Sequence, residues 1–269
     1  MINAIKSELR KYFTTRVWWG MAIGMLVAGA LAAGFFAFTF LRLATLEGGS
    51  DMPFELTPTQ LANTVYTSAL PSGIYVLPLT IGVLQIGAEY RHKTITSTFL
   101  STPKRLRALF AKAIALVIIA VLNGLVLLAG SVVAGATTIQ LLGGDPFPSL
   151  EVLRSLSMLL LVMVVWALIG LGAGILIPNQ VAALLIAIGL AWMVEPFLAI
   201  GLSFWQWGAQ NLLQYFPTQA TGAVVNNVDF MTMGNAARLD WWAAALVLLA
   251  YAFILAGLGI WRASREDVS

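Results

Sequence analysis

Long apolar runs without a single charge constrain this chain more than any other feature of its sequence. The first of them, residues 17–40, contains no Asp, Glu, Lys or Arg, and Arg42 closes it. About 20 such residues suffice to cross the hydrocarbon core of a membrane as a helix. Only 10% of the chain is charged and 59% is apolar, against about 25% and about 45–50% in soluble domains. The sequence therefore excludes a soluble main body and predicts an all-α membrane protein.

We expect six transmembrane helices. The predicted spans are residues 17–40, 68–88, 113–136, 156–177, 181–194 and 241–261. Six spans place both termini on one side, and 12 of the 15 Lys and Arg residues lie on that side. Because basic flanks stay in the cytoplasm, both termini and the loop 89–112 are predicted to be cytoplasmic. Two glycine pairs have the spacing that allows close helix packing: Gly20 with Gly24, and Gly170 with Gly174.

Residues 1–16 are predicted to form an amphipathic helix on the inner membrane surface. The apolar residues that recur there at helical spacing are Ile2, Ile5, Leu9, Tyr12 and Phe13. The polar residues expected on the opposite face are Lys6, Glu8, Arg10 and Lys11. A frayed, solvated N-terminus is the alternative.

The loop 89–112 carries the most information about function. Its first part places Ile95, Phe99 and Leu100 on one face of a short helix. Thr102 is a good N-cap and Pro103 a good first residue for the helix that follows. A short helix with an apolar face, held between two spans, is suited to bind in a groove of another protein. The residues alone leave open an ordinary basic loop that only determines topology.

The order of residues in this loop resembles the permease subunit of type 2 ABC export transporters. This family includes bacterial exporters of drugs, antimicrobial peptides and surface polysaccharides. The resemblance implies that residues 94–100 form the coupling helix that contacts the ATPase, with anchoring residues before and after it. The residues to which it assigns ATPase coupling are Glu89, Arg91, Thr94, Phe99, Leu100, Thr102, Pro103 and Arg105.

The same resemblance implies partners. The chain has no G-x-x-x-x-G-K-[ST] phosphate loop, so a separate ATPase subunit is expected to carry ATP and Mg²⁺ while this chain binds no cofactor itself. Six spans form half of such an exporter, so a second permease chain, identical or related, is expected in the bacterial plasma membrane. Alternating access would then move the substrate. The apolar spans favour an amphiphilic substrate such as a drug, an antimicrobial peptide or a lipid-like molecule.

Glu195 and Pro196 interrupt the chain soon after the fifth span begins. Residues 181–194 reach only about 21 Å at 1.5 Å per residue. The segment 195–217 is apolar but interrupted by Gly, Gln and Asn, which predicts a re-entrant helical element. Glu195 is expected either in the substrate pathway or at the outer headgroups. Asn123, in the third span, is a second candidate for the pathway, or it hydrogen-bonds across helices.

Other classes of function fit less well. A non-transporting membrane anchor, such as an immunity or sensor subunit that recruits an ATPase, would share the same loop. An ion-driven carrier usually has several ionisable groups near the membrane midplane, and the predicted span interiors contain none. One His and no Cys argue against metal or nucleophilic catalysis, so no catalytic or metal site is expected. No basic stretch is interleaved with aromatics as a nucleic-acid surface requires.

Overall fold

The computed structural model describes residues 1–46, 56–91, 105–228 and 237–265. Every regular element within these ranges is helical, which confirms the all-α prediction. The α-helices are α1 (Ile2–Thr14), α2 (Val17–Leu46), α3 (Pro58–Thr67), α4 (Val76–Arg91), α5 (Arg105–Leu141), α6 (Leu150–Leu176), α7 (Gln180–Gly189), α8 (Glu195–Ser203), α9 (Gln206–Asn211), α10 (Pro217–Val224) and α11 (Trp241–Arg265). The remaining elements are π-helical turns at Leu70–Ile74 and Leu190–Val194 and a 3-10 turn at Leu213–Tyr215.

Five helical segments in the described ranges are long and apolar enough to cross a membrane. They are Val17–Arg42, Ala108–Leu141, Leu150–Leu176, Gln180–Ser203 and Trp241–Arg262. A sixth is obtained if the pair Pro58–Ile74 and Val76–Arg91, bent by 51°, is counted as one span. Several apolar helices of this length indicate a membrane-embedded protein.

The second apolar segment begins ten residues before the predicted start at residue 68. Thr57 and Gln60 form a capping box, in which each side chain accepts a hydrogen bond from the other residue's backbone N–H. Pro58 occupies the first helical position, where a missing N–H is harmless. The π-helical turn at Leu70–Ile74 then bends the segment, and Gly73 adopts φ +100° there. A helix, a bend and a second helix therefore replace the single straight span expected.

The fifth apolar segment continues past the point where we expected it to end. Backbone angles stay helical from Gly189 through Val194 and Glu195, and α8 runs to Ser203. Pro196 lies in the first turn of α8, directly after the π-helical turn, so it does not stop the helix. The segment that is apolar enough to span is Gln180–Ser203 rather than 181–194. The short helix α9 lies within the segment 195–217, and α10 begins at its end and packs on α11.

The centre of the bundle is α6. Within its most apolar stretch 72% of the residues are buried, against 22% to 44% in the four other spanning segments. Reciprocal glycine contacts bring its backbone close to α4: Gly82 faces the backbone of Ala167, and Gly170 faces the carbonyl of Leu79. Gly174 packs on the same helix, as its spacing predicted. By contrast, a Cβ added at Gly20 or Gly24 would meet no described atom within 4 Å.

The helices place two groups of residues at opposite ends of the bundle. At one end, Lys112 near the start of α5 contacts Glu8 of α1 and Glu89 of α4. We name this the basic end. At the opposite end, named the far end, the Tyr66 hydroxyl donates to the carbonyl of Pro146 at 2.7 Å.

Candidate functional site

Four charged side chains form a closed ring at the basic end, named here the ion ring. Lys112 Nζ lies 2.6 Å from Glu8 Oε2 and 3.0 Å from Glu89 Oε1. Lys11 Nζ lies 2.7 Å from Glu8 Oε1 and 2.9 Å from the same Glu89 oxygen. Two acids and two bases therefore neutralise one another and join α1, α4 and α5.

The ring is buried unevenly. The side chains of Lys112, Glu89 and Glu8 are 3%, 7% and 10% exposed, whereas that of Lys11 is 52% exposed. A charge removed from water needs a partner, because its desolvation is expensive. Lys112 supplies that partner from inside the bundle, and Lys11 covers the two carboxylates from the solvent side.

The electrostatics of α1 reflect this arrangement. Burial by itself raises the pKa of Glu8, but Lys112 and Lys11 outweigh it and hold the pKa below the usual 4.5. Burial likewise opposes the charge on Lys11, yet its hydrogen bonds to Glu8 and Glu89 leave the Lys11 pKa above the usual 10.5. Glu8 and Lys11 are thus held in their charged forms at neutral pH.

The position of Glu8 corrects the expected orientation of α1. The sequence predicts Glu8 on the solvent face, but the residue is buried and its carboxylate contacts Lys112 inside the bundle. Ile5, Leu9 and Tyr12 lie within four residues of it, so Glu8 interrupts the apolar stripe rather than facing away from it. An acid within an apolar stripe is the sequence signal that indicates such a ring.

A second contact attaches α1 to α5. The side-chain amide of Asn123 donates to the Tyr12 hydroxyl at 3.0 Å and to the Ile119 carbonyl at 2.9 Å. Asn123 is 5% exposed. Its geometry is that of a packing residue between two helices, the second of the two roles considered for it.

The predicted coupling residues fall on both sides of a gap in the described chain. Glu89 is in the ion ring, Arg91 is the exposed last residue of α4, and Arg105 begins α5. Thr94, Phe99, Leu100, Thr102 and Pro103 lie outside the described residues. The structure therefore brings together the two ends of this loop through Glu89 and Lys112, and the sequence pattern had not indicated Lys112 as the partner.

Glu195 belongs to a different region of the molecule. It is 8% exposed, and its Oε1 accepts hydrogen bonds from the backbone N–H and the hydroxyl of Thr218, both at 2.6 Å. Thr218 lies in the first turn of α10, whose free N–H groups favour an anion. Glu195 thereby connects the 180–203 segment with α10.

An aromatic group extends this connection across the bundle. The Tyr75 hydroxyl donates to the Ala191 carbonyl at 2.8 Å, one turn before Glu195. The Tyr75 ring stacks on Trp166 with centroids 4.4 Å apart, and the indole N–H of Trp166 donates to the Thr221 hydroxyl at 2.8 Å. The two π-helical turns and α10 are therefore held together around the central helix α6.

A cavity of about 270 Å³ opens at the far end between α6, α10 and α11. Its charged lining residues are Glu151, Arg154, Arg238 and Asp240. The Arg154 guanidinium lies over the Trp241 ring, 5.0 Å from its centroid. Two acids and two bases give this lining no net charge. Within the described residues no group of three or more His, Asp or Glu side chains could hold a metal ion.

No family model matches the sequence, and a search of curated proteins finds no match. Inference about function therefore depends on the residues and their geometry.

Proposed function

We propose that this chain is the permease subunit of an ATP-driven type 2 ABC exporter in a bacterial plasma membrane. The observation that carries the proposal is the ion ring. It joins α4, α5 and α1 at one end of the bundle, so it lies on either side of residues 92–104 in the sequence. A loop whose two ends are held together by buried ion pairs transmits a displacement to all three helices at once.

The proposed mechanism assigns the chain's residues to coupling rather than to chemistry. A separate ATPase carries ATP and Mg²⁺ and binds the segment that contains Phe99 and Leu100. Closure of two ATPase subunits moves the loop, and Glu89 with Lys112 transfers that movement to α4 and α5. A second permease chain, identical or related, completes the pathway. With both termini cytoplasmic, the basic end faces the ATPase, in keeping with the excess of Lys and Arg there.

The proposed substrate is amphiphilic. The spanning segments present many exposed apolar side chains, and their most apolar stretches contain at most two charged residues each. A hydrophilic solute would find few polar partners along such helices.

A single substitution in the loop tests the proposal. Leu100→Asp should abolish co-purification of the ATPase from crosslinked native membranes, because a carboxylate replaces an apolar side chain at the proposed contact. The matched control is Leu150→Asp, at an 82% exposed leucine of the far end. The wild type and L150D should each retain a partner chain that contains a G-x-x-x-x-G-K-[ST] motif. Capture of no such chain by the wild type, or equal capture by L100D, would refute the proposal.

Transport separates an exporter from a membrane anchor that only recruits an ATPase. In proteoliposomes that contain the captured complex, ATP should drive movement of an amphiphilic dye, and a partner that lacks its phosphate-loop lysine should not support it. A complex that hydrolyses ATP and moves no such dye would favour the anchor.

A further inference from the structure

Glu195 is a buried acid to which the structure gives no cation. The ion pairs in which both partners are described residues belong to the ion ring at the basic end. Glu195 lies in an apolar helical segment that is long enough to cross a membrane. Carboxylates in such surroundings are costly unless they are paired, and they mark substrate or ion pathways.

The two oxygens of this carboxylate differ in their contacts. Oε1 accepts both hydrogen bonds from Thr218. Oε2 has no hydrogen-bond partner among the described residues. It is not fully buried either, so some of its surface stays accessible. Thr218 therefore holds the carboxylate through one oxygen and leaves the other without a hydrogen bond.

The surroundings of Glu195 are aromatic and apolar. Tyr75 and Tyr251, the titratable groups that face it from neighbouring helices, lie close enough to interact with it electrostatically. Trp192 and Leu198, each three residues from Glu195 along the chain, are 60% and 53% exposed. Aromatic faces attract cations, and exposed apolar side chains accept hydrocarbon.

We propose that Glu195 binds the charged group of an amphiphilic organic cation whose apolar part lies on the exposed surface of the 180–203 segment. The cation compensates the buried carboxylate, and the apolar part is removed from water. This inference rests on the proposed function, because it names the substrate class of that exporter. The binding step itself requires no ATPase, so it can be measured on the chain alone.

Tetraphenylphosphonium tests the proposal together with tetraphenylborate, an anion of the same shape. In equilibrium dialysis, nanodiscs of zwitterionic lipid that contain the full chain should bind more of the cation than protein-free nanodiscs of the same lipid do, with no such excess for the anion. Glu195→Gln should weaken binding of the cation tenfold or more, since the amide can still accept from Thr218 but carries no charge. The control Glu151→Gln, at an exposed acid of the far-end cavity, should bind as the wild type does.

Each outcome bears on the proposal. A thermal melt that matches the wild type would show that E195Q is folded. Equal excess binding of cation and anion by the wild type, no excess binding of the cation over protein-free nanodiscs, or unchanged excess binding by folded E195Q would overturn the assignment. If the ATPase still co-purifies in those cases, this inference alone fails; if the cation binds and no ATPase co-purifies, the proposed function alone fails.

Discussion

Lys112 provides the sharpest test of the ion ring, because it is the buried base between two buried acids. Lys112→Met keeps most of the side-chain volume and removes the charge. Glu8 and Glu89 would then share Lys11, whose side chain is 52% exposed. Removing one partner of a buried ion pair costs about 3–5 kcal/mol. Because Lys11 still contacts both acids, we expect the lower limit, about 3 kcal/mol.

The first consequence of this loss is the release of α1. Arg10 is an exposed residue of that helix, and trypsin can cut after it only when α1 opens. Each 1.4 kcal/mol changes the opening equilibrium of α1 tenfold, so a loss of about 3 kcal/mol should make cleavage roughly 100-fold faster. Lys11→Met removes a half-exposed charge, which contributes about 0–1 kcal/mol, so its rate should rise by about fivefold at most.

A double variant checks that charge, rather than shape, is responsible. Glu8→Gln combined with Lys112→Met leaves one acid and one base, so the double variant should be cleaved more slowly than K112M alone. Cleavage of K112M at the rate of K11M would refute the argument from burial. Faster cleavage of the double variant than of K112M would refute the argument from charge balance.

Two further predictions concern pH and packing. Because the pKa of Glu8 is lowered in the folded state, its carboxylate stabilises the fold above pH 4.5, the usual pKa. This stabilisation is lost as the pH falls through the lowered pKa. The melting temperature of the wild type should therefore exceed that of E8Q at pH 6, and the difference should shrink below pH 4.5. Gly82→Ala should destabilise the bundle by about 1–3 kcal/mol in a detergent-denaturation titration, because the new methyl group meets the backbone of Ala167. Gly201→Ala faces no described atom within 4 Å and should be neutral or slightly stabilising; equal losses in the two variants would contradict the close crossing.

Some of the differences between prediction and structure could have been predicted from the sequence. Thr57, Pro58 and Gln60 have the spacing of a capping box with proline at the first helical position, so an earlier start of the second segment could have been predicted. Glu8 within the apolar stripe of α1 was a similar signal. For Pro196 the sequence was misleading, because proline usually ends a helix. Here it lies in the first turn of α8, directly after the π-helical turn at Leu190–Val194.

The helical and membrane-embedded character of this chain follows from its sequence, because the length and hydropathy of a segment are local properties. Which charged residues meet does not follow from it. Lys112 and Glu8 are 104 residues apart, and Glu195 and Thr218 lie on different helices. Such pairs depend on packing, since each helix offers several faces and its rotation is set by its neighbours. Packing therefore places two carboxylates in the ion ring and leaves a third, Glu195, with one oxygen that has no hydrogen-bond partner.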